Sequence, residues 1–256
     1  MSEERQTEYT IAEGYELPSK GKIYSRDVNP HVELRSMTAY DELKRLSPST
    51  TPLKTLSDII EGCMIEKPAI HVYDMSLGDY EFLLHKLRVI TYGGKYNMTI
   101  SCPNCGEIVD TTTNLEDLKI KEFDEKEFSS HQTINLPKSK KTVVLNFTTP
   151  HILDDISLKS KEDRRRFKQT SIDFDTLEKI KFAIDTVNGS KLNDFELENF
   201  VKNLPAMDMI KILDAVDEMD SSIGVNNTIY VTCPKCGEEI KTSFRLNSEF
   251  FRPSDL

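Results

Sequence analysis

A seven-residue pattern that occurs twice limits what this chain can fold into. The stretch SCPNCGE spans Ser101–Glu107, and TCPKCGE spans Thr232–Glu238. Two cysteines separated by two residues and followed by glycine are typical of a zinc knuckle, a tight turn between strands that presents two thiolates on one side. The glycine supplies a positive backbone φ angle after the second cysteine. The chain therefore has either two metal sites or one site built from two halves.

Ligand counting favours one shared site. A tetrahedral structural zinc ion takes four ligands, so a single knuckle would need two more. His131 and His151 lie between the two copies, but no paired-histidine spacing occurs near either cysteine pair. Two alternatives stay open: knuckles that fold without metal, and knuckles that pair between two chains. We predict one structural zinc ion per chain, bound by Cys102, Cys105, Cys233 and Cys236.

The predicted site is a zinc ribbon that is split by a long insertion. A conventional ribbon has about 15–20 residues between its halves, whereas here the interval runs from Gly106 to Thr232. Loop-closure entropy rises only logarithmically with loop length. A structural zinc ion contributes on the order of 10 kcal/mol at pH 7, which is enough to offset that closure. The long insertion is therefore compatible with a shared site.

Composition indicates a globular protein. The chain has 256 residues, of which 38% are hydrophobic and 30% are charged, and this balance differs from that of disordered chains. No apolar run approaches the ~20 residues needed to cross a bilayer. The N-terminal stretch MSEERQTEYT lacks the apolar segment of a signal peptide. We therefore expect a cytoplasmic protein without membrane insertion. In the reducing cytoplasm, cysteines are more often metal ligands than disulfide partners.

The formal net charge of -10 at pH 7 disfavours binding to nucleic acid, because such binding depends largely on neutralising phosphates. The most basic run is KSKEDRRRFK, at Lys159–Lys168. We interpret it as the solvated face of a helix, with a docking surface for an acidic partner as the alternative.

Hydrophobic periodicity and turn signals predict an α+β fold. A helical N-terminal region and a helical insert flank the split zinc-ribbon β element. We divide the chain into an extended N-terminal segment, an N-terminal helical region, the first ribbon half, a β-hairpin with the helical insert, and the second ribbon half with the C-terminal tail, at residues 1–30, 31–95, 96–127, 128–222 and 223–256.

The N-terminal region has three predicted helices. Thr38 caps the first, whose apolar side is Leu43 and Leu46, and Pro52 opens the second. Ser76 caps the third. Cys63 lies on the apolar face of the second helix and is interpreted as a small core residue. His85, on the third helix, is expected to be a surface or partly packed side chain, and Arg35 and Arg88 are expected to form surface ion pairs.

The remaining predicted elements are six strands and the helices of the insert. Strands are predicted at Val32–Arg35, Tyr96–Ser101, Thr133–Leu136, Thr142–Thr148, Thr228–Thr232 and Ile240–Leu246. In the insert, the apolar stripe from Phe174 to Ala183 predicts a helix with its stop signal at Asn188–Gly189. Asn193 caps the next helix and Pro205 opens the last one.

No catalytic constellation is visible in the sequence. Four thiolates fill the coordination shell of zinc, whereas catalytic zinc keeps an open position for water or substrate. The sequence contains no Gly-x-Ser-x-Gly, His-Glu-x-x-His or phosphate-binding loop. We therefore predict that the protein is not an enzyme.

Several phrases in order along the chain resemble one family. They are ELPSKGKIY, VELRSMTAYDE, LRVITYGGKY, the two knuckles and the terminal EFFRP, which together extend from Glu16 to Pro253. The chain resembles the T-even-type bacteriophage baseplate proteins, which act in the hub of contractile tails or in its assembly. The resemblance implies a structural or assembly role, other phage baseplate or hub proteins as partners, and a location in the host cytoplasm during assembly. Two alternatives stay open after assembly: the chain remains in the virion tail, or it acts only in building the hub.

Two points stay open at this stage. Tyr15, Tyr24, Phe250 and Phe251 lie near the termini, where they either grip a neighbouring protein or pack on the chain's own core. The alternative function, from a different class, is a zinc-ribbon adaptor for nucleic acid or transcription, which the acidic composition disfavours.

Overall fold

A computed structural model describes residues 11–167, 173–243 and 248–251. In this part of the chain, helices and antiparallel strand pairs alternate, as predicted. The helices are α1 Ala39–Arg45, α2 Pro52–Cys63, α3 Leu77–Tyr92, α4 Glu125–Gln132, α5 Pro150–Phe167, α6 Phe174–Ala183, α7 Asp194–Lys202 and α8 Ala206–Ser221. The strands are β1 Ala12–Glu16, β2 His31–Arg35, β3 Lys95–Ser101, β4 Ile108–Asn114, β5 Ile120–Lys121, β6 Thr133–Asn135, β7 Thr142–Leu145, β8 Ile184–Val187, β9 Gly224–Val225, β10 Thr228–Thr232 and β11 Glu239–Ser243.

The strands form small sheets instead of one large sheet. β1 pairs with β2, β3 with β4, β10 with β11 and β5 with β9, and β6, β7 and β8 form a three-stranded sheet. Every pairing among these strands is antiparallel. The predicted return strand Ile240–Leu246 is β11 as far as Ser243, and its last three positions lie outside the described residues.

The helix starts of the N-terminal region follow their predicted capping residues. The Thr38 side chain accepts a hydrogen bond from the Asp41 N–H, and the Asp41 side chain accepts one from the Thr38 N–H, which completes a capping box. Proline opens α2, and the Ser76 side chain caps α3. Cys63 is fully buried in the same core as Leu56 and Ile60, so its interpretation as a core residue is confirmed.

The loop after β1 is held to α3 by a buried carboxylate. Asp79 Oδ2 accepts hydrogen bonds from the Ser19 hydroxyl at 2.5 Å and from the Tyr24 hydroxyl at 2.6 Å. Asp79 Oδ1 accepts one from the Ser19 N–H at 3.0 Å. Because Asp79 is fully buried, these donors replace the water that the carboxylate loses on folding. The stretch ELPSKGKIY is thereby fixed onto the first turn of α3.

Three expectations for side-chain exposure were wrong. Leu43 and Leu46 on α1 are 64% and 63% exposed instead of packed inward. His85 is buried, and its Nε2 atom lies 2.9 Å from the Leu115 carbonyl oxygen. Arg88 is also fully buried, and its guanidinium donates to backbone carbonyls. Arg35 forms an ion pair as expected, at 2.8 Å from Asp41, but Asp41 is buried, so the pair does not lie on the surface.

The terminal aromatic residues pack on the chain's own core. Phe250 and Phe251 are buried, with their ring centroids 6.1 Å apart. Tyr15 meets Phe82 edge-on, with the two ring centroids 6.3 Å apart. Tyr24 is held by Asp79. The structure therefore supports internal packing for these residues over a grip on a neighbouring protein.

The insert has its own core between its sheet and helices α4, α6, α7 and α8. The expected helix stop at Asn188–Gly189 was wrong, because α6 ends at Ala183 and β8 follows it directly. The β-branched residues Ile184, Thr186 and Val187 favour a strand here. Asn188 and Gly189 both have positive φ and form the turn after β8. The predicted strand Thr142–Thr148 is also shorter, ending at Leu145.

The two ends of the insert return to the N-terminal region at the same place. β5 lies just before the insert and β9 just after it, and they pair through Ile120 with Val225 and Lys121 with Gly224. The N-terminal turn of α3 packs directly on the backbone just before β9, where the chain leaves the insert. A Cβ atom at Gly78 would lie 2.5 Å from the Ile223 carbonyl oxygen.

Replacing Gly78 with alanine is therefore expected to destabilise the protein by about 1–3 kcal/mol, since backbone atoms must move to accept the methyl group. The matched control is Gly62→Ala in α2, where nothing lies within 4 Å of the added Cβ. This control is expected to be neutral or stabilising by up to about 1 kcal/mol. Urea unfolding midpoints measure both changes. Equal midpoints for the two variants would show that α3 and β9 are not in close contact.

Within the described residues, no helix is both long and apolar enough to cross a lipid bilayer.

Candidate metal centre

Each CPxCG phrase forms the same backbone turn between two strands. In the first copy, the Cys102 N–H donates to the Glu107 carbonyl at 2.8 Å, and the Gly106 N–H donates to the Cys102 carbonyl at 2.9 Å. In the second, Cys233 and Gly237 make the equivalent hydrogen bonds at 2.8 Å and 2.9 Å. The two turn glycines have φ angles of 72° and 74°. The turns are equivalent because both need the left-handed residue that glycine supplies without strain.

The fold brings the two knuckles face to face. Cys102 Sγ lies 3.7 Å from Cys236 Sγ, and Cys105 Sγ lies 3.7 Å from Cys233 Sγ. All four sulfur atoms lie within 4.8 Å of one another. Each cross-knuckle pair joins residues more than 120 positions apart in the sequence. The two halves are therefore adjacent within a single chain.

The sulfur separations fit one metal ion. A tetrahedral site with Zn–S bonds of about 2.3 Å has neighbouring sulfurs about 3.8 Å apart, close to the 3.7 Å between these sulfurs. A disulfide would need the two sulfurs about 2.0 Å apart, and all five cysteines are free thiols. Four soft thiolates in this arrangement are typical of zinc or iron. The cluster could hold one metal ion.

Burial and backbone N–H groups give the four thiols different environments. Cys102 and Cys233 are 1% exposed, Cys105 is partly buried and Cys236 is exposed. A hydrogen bond from the backbone of Glu238 lowers the pKa of Cys236 to about 7.

The pKa of the Cys105 thiol shifts in the opposite direction. The backbone of Glu107 acts to lower the pKa of Cys105, but burial and hydrogen bonds with the other sulfurs outweigh it, and this pKa is raised to about 12. The two values belong to one set of interacting thiols that titrate together, so they describe the cluster and not a single cysteine. Thiolate is the form that binds metals.

Contacts outside the sulfurs also join the knuckles. Val109 of β4 and Ile240 of β11 are buried in one small cluster with Cys102 and Cys233. Lys235 Nζ lies 2.8 Å from Glu107 Oε2, so an exposed ion pair bridges the two turns. This pair was missed at the sequence level. Lys235 stands where the first copy has Asn104, and Glu107 ends the first copy, so the two residues are distant in sequence and only the face-to-face arrangement places them together.

The two histidines of the insert lie apart from the cysteines. His131 Nδ1 is 3.0 Å from Glu218, and His151 Nδ1 is 2.9 Å from Asp74. In the part of the chain that the structure describes, the four cysteines are the only cluster of three or more histidine, cysteine or acidic residues with metal-binding geometry. Four sulfurs complete a tetrahedral shell and leave no position for water or substrate, so the arrangement is suited to holding structure.

The basic run identified in the sequence lies on the C-terminal half of α5. Lys161, Arg164, Arg165 and Arg166 are exposed there, while Lys168 lies outside the described residues. Arg164 pairs with Asp175, and Lys159 Nζ lies 4.5 Å from the centroid of the Phe182 ring. These positions agree with the interpretation of the run as a solvated helix face.

Comparison with known proteins identifies the family. A model of the family described as T4 bacteriophage base plate protein matches residues 10–252, which is nearly the whole chain. No curated protein and no solved structure matches the chain. The matched region includes both knuckles and the whole insert between them. The chain therefore belongs to the T4 bacteriophage base plate protein family, with a structural role in the phage baseplate.

Proposed function

We propose that the protein is a structural or assembly component of the baseplate hub in a contractile phage tail, and that it binds other baseplate or tail proteins. The observation that carries this proposal is the family match over residues 10–252. A baseplate is built from contacts between proteins, so a structural member acts by binding its neighbours. Families of this kind are generally not enzymes. The location that follows is the host cytoplasm during assembly and the tail of the virion.

The exposed apolar side chains of α1 support a role in protein–protein contact. Tyr40 and Leu43 of this helix and Leu46, which follows its last residue, recur at intervals of three, and each is more than 60% exposed. Exposed apolar groups gathered on one face are typical of interaction surfaces. They contrast with the rest of the N-terminal region, where apolar side chains of α2 and α3 form a closed core.

We also propose that one structural zinc ion joins Cys102, Cys105, Cys233 and Cys236 in each chain. The support is the 3.7 Å spacing of the sulfurs across the knuckles and the completeness of the four-thiolate shell. With the ion bound, the two hairpins become one ribbon. The division into segments 1–30, 31–95, 96–127, 128–222 and 223–256 is part of this proposal, since it treats the residues between the knuckles as an insertion.

Purification of the tagged protein from infected cells tests the partner assignment. We expect mass spectrometry to identify baseplate or tail proteins in the eluate, and we expect nuclease treatment to leave them bound. Cells carrying the untagged protein are the control. Recovery of nucleic acid or polymerase without tail proteins would instead favour the adaptor function.

Electron microscopy of isolated baseplates tests the hub assignment separately. An antibody against the tag is expected to label the tail axis if the protein stays in the finished particle. Label at the periphery would contradict a place in the hub. Recovery of tail proteins from infected cells without label on finished particles would assign the chain to assembly.

A further inference from the structure

A cleft of about 440 Å³ lies where the insert meets the N-terminal region. The first half of α3 contributes Leu77 and Glu81 to its lining, and the end of α8 contributes Asp217 and Asp220. The β5–β9 pair contributes Lys121 and Val225. The cleft is therefore surrounded by the elements that join the two regions of the chain.

Hydrogen bonds around this cleft connect the two regions directly. The Leu77 N–H of α3 donates to the Thr148 carbonyl at 2.8 Å. The Thr148 N–H then donates to Asp220 Oδ1 at 2.9 Å. Lys121 Nζ donates to the Ser221 carbonyl at 2.8 Å. Asp220 thus takes part in a series of hydrogen bonds that connects α3, the loop before α5, and α8.

The carboxylates in the cleft are not balanced by the cations there. Lys179 of α6 lies 2.6 Å from Asp217, and Lys121 of β5 is engaged with a carbonyl. Among the described residues, none forms a hydrogen bond or an ion pair with the Glu81 side chain. The cleft positions contributed by α5 and β9, Leu153 and Val225, are uncharged. Glu81 and Asp220 therefore line the same cleft, and no cation among the described residues pairs with the Glu81 carboxylate.

We propose that Glu81 and Asp220 make this joint pH-sensitive, so that the insert packs firmly on the N-terminal region when the pair is protonated and loosens when both carboxyls ionise. Both groups are partly buried at the interface of α3 and α8, where two negative charges repel each other and lose part of their hydration. This property goes beyond the baseplate role, because it describes how the two regions of the chain respond to their surroundings.

The direction of the pH effect follows from proton binding. Burial, with the Asp220 charge, raises the pKa of Glu81 to about 7. Burial also raises the pKa of Asp220 to about 6, against the lowering effect of its hydrogen bonds with Thr148. The folded protein therefore holds protons that the unfolded chain has released, so stability falls as pH rises from about 4 to 7 and stays low above 7.

Replacing Glu81 with glutamine tests the proposal. The variant Glu81→Gln is expected to raise Tm by about 3 °C or more at pH 8, where the wild-type group is ionised, and to leave Tm within about 1 °C at pH 4, where the group is largely protonated in both the folded and the unfolded chain. Glu66→Gln is the matched control, because Glu66 is an exposed glutamate outside the cleft. Scanning calorimetry of the full chain at both pH values measures all three proteins. An equal shift at both pH values, or none at pH 8, would overturn the proposal.

Hydrogen exchange locates the effect and remains informative if one variant folds poorly. Protection factors, corrected for intrinsic exchange, are expected to fall in α3 and the end of α8 of the wild type between pH 6 and 8.5. Glu81→Gln or Asp220→Asn should prevent that loss, whereas α7, which lies away from the cleft, should behave alike in all proteins. Loss of protection in the variants equal to that in the wild type would also overturn the proposal.

Discussion

Serine at Cys102 or at Cys233 is expected to abolish metal binding by the whole protein, although each substitution alters only one knuckle. The wild type should contain about one zinc ion per chain. Three sulfurs leave the shell incomplete, and a hydroxyl is a much weaker zinc ligand than a thiolate. Because structural zinc binding contributes on the order of 10 kcal/mol to folding, we also expect both hairpins to lose their fixed arrangement. Elemental analysis of the purified proteins measures the first effect.

The fifth cysteine is the control for the first prediction. Cys63 is buried in the N-terminal core and lies outside the cysteine cluster. Cys63→Ala should therefore keep one zinc ion per chain even if it lowers stability. Two zinc ions in the wild type would refute the shared site. So would a Cys233→Ser variant that retains its full zinc content, since the first knuckle would then bind zinc without the second.

Replacement of Arg88 with methionine is expected to lower the free energy of unfolding by about 3 kcal/mol or more. The guanidinium donates to the carbonyls of Gly93, Lys95 and Phe250 at 2.7, 3.2 and 3.1 Å. Hydrogen bonds from a charged donor are the strong class, and methionine fills similar space without replacing any of them. For a chain of this length, the corresponding fall in Tm is about 6–12 °C.

Two further variants serve as comparisons. One keeps the charge of Arg88 without its fork-shaped set of donors, and the other removes an exposed arginine. Arg88→Lys keeps the charge but presents it as a point, so it should recover only part of the lost stability. Arg165→Met removes an exposed arginine of α5 and should change the free energy of unfolding by no more than about 0.5 kcal/mol. Urea unfolding of the three variants measures these differences. If Arg88→Met were as stable as Arg165→Met, the three carbonyl contacts would not contribute to folding.

The position of Arg88 also shows where sequence reasoning was limited. Arginine is rarely fully buried, so a surface ion pair was the reasonable expectation for a lone arginine on a helix. Its partners are main-chain carbonyls, and one of them belongs to Phe250, 162 residues away. Backbone carbonyls have no sequence signature. The same reason explains His85, which was expected nearer the surface and instead meets the Leu115 carbonyl.

Local signals, by contrast, predicted local structure well. The capping box at Thr38, the proline that opens α2 and the Ser76 cap were all confirmed, because each depends on side chains that contact backbone groups within three residues. The prediction that α6 extends to Asn188–Gly189 was wrong, since a strand begins at Ile184. Pairing with β7 decided that element, and pairing partners are distant in sequence.

The sequence by itself determined the two knuckle turns, the α+β character of the chain and the resemblance to a phage family. Each of these depends on residue types at short, fixed spacing. Tertiary structure alone decided that Cys102 lies opposite Cys236 and Cys105 opposite Cys233. It also decided that Glu81 and Asp220 line the same cleft at the joint between the insert and the N-terminal region. These arrangements depend on how the insert folds and where its two ends return to the N-terminal region. The spacing of residues within a knuckle, within α3 or within α8 does not encode that route of the chain.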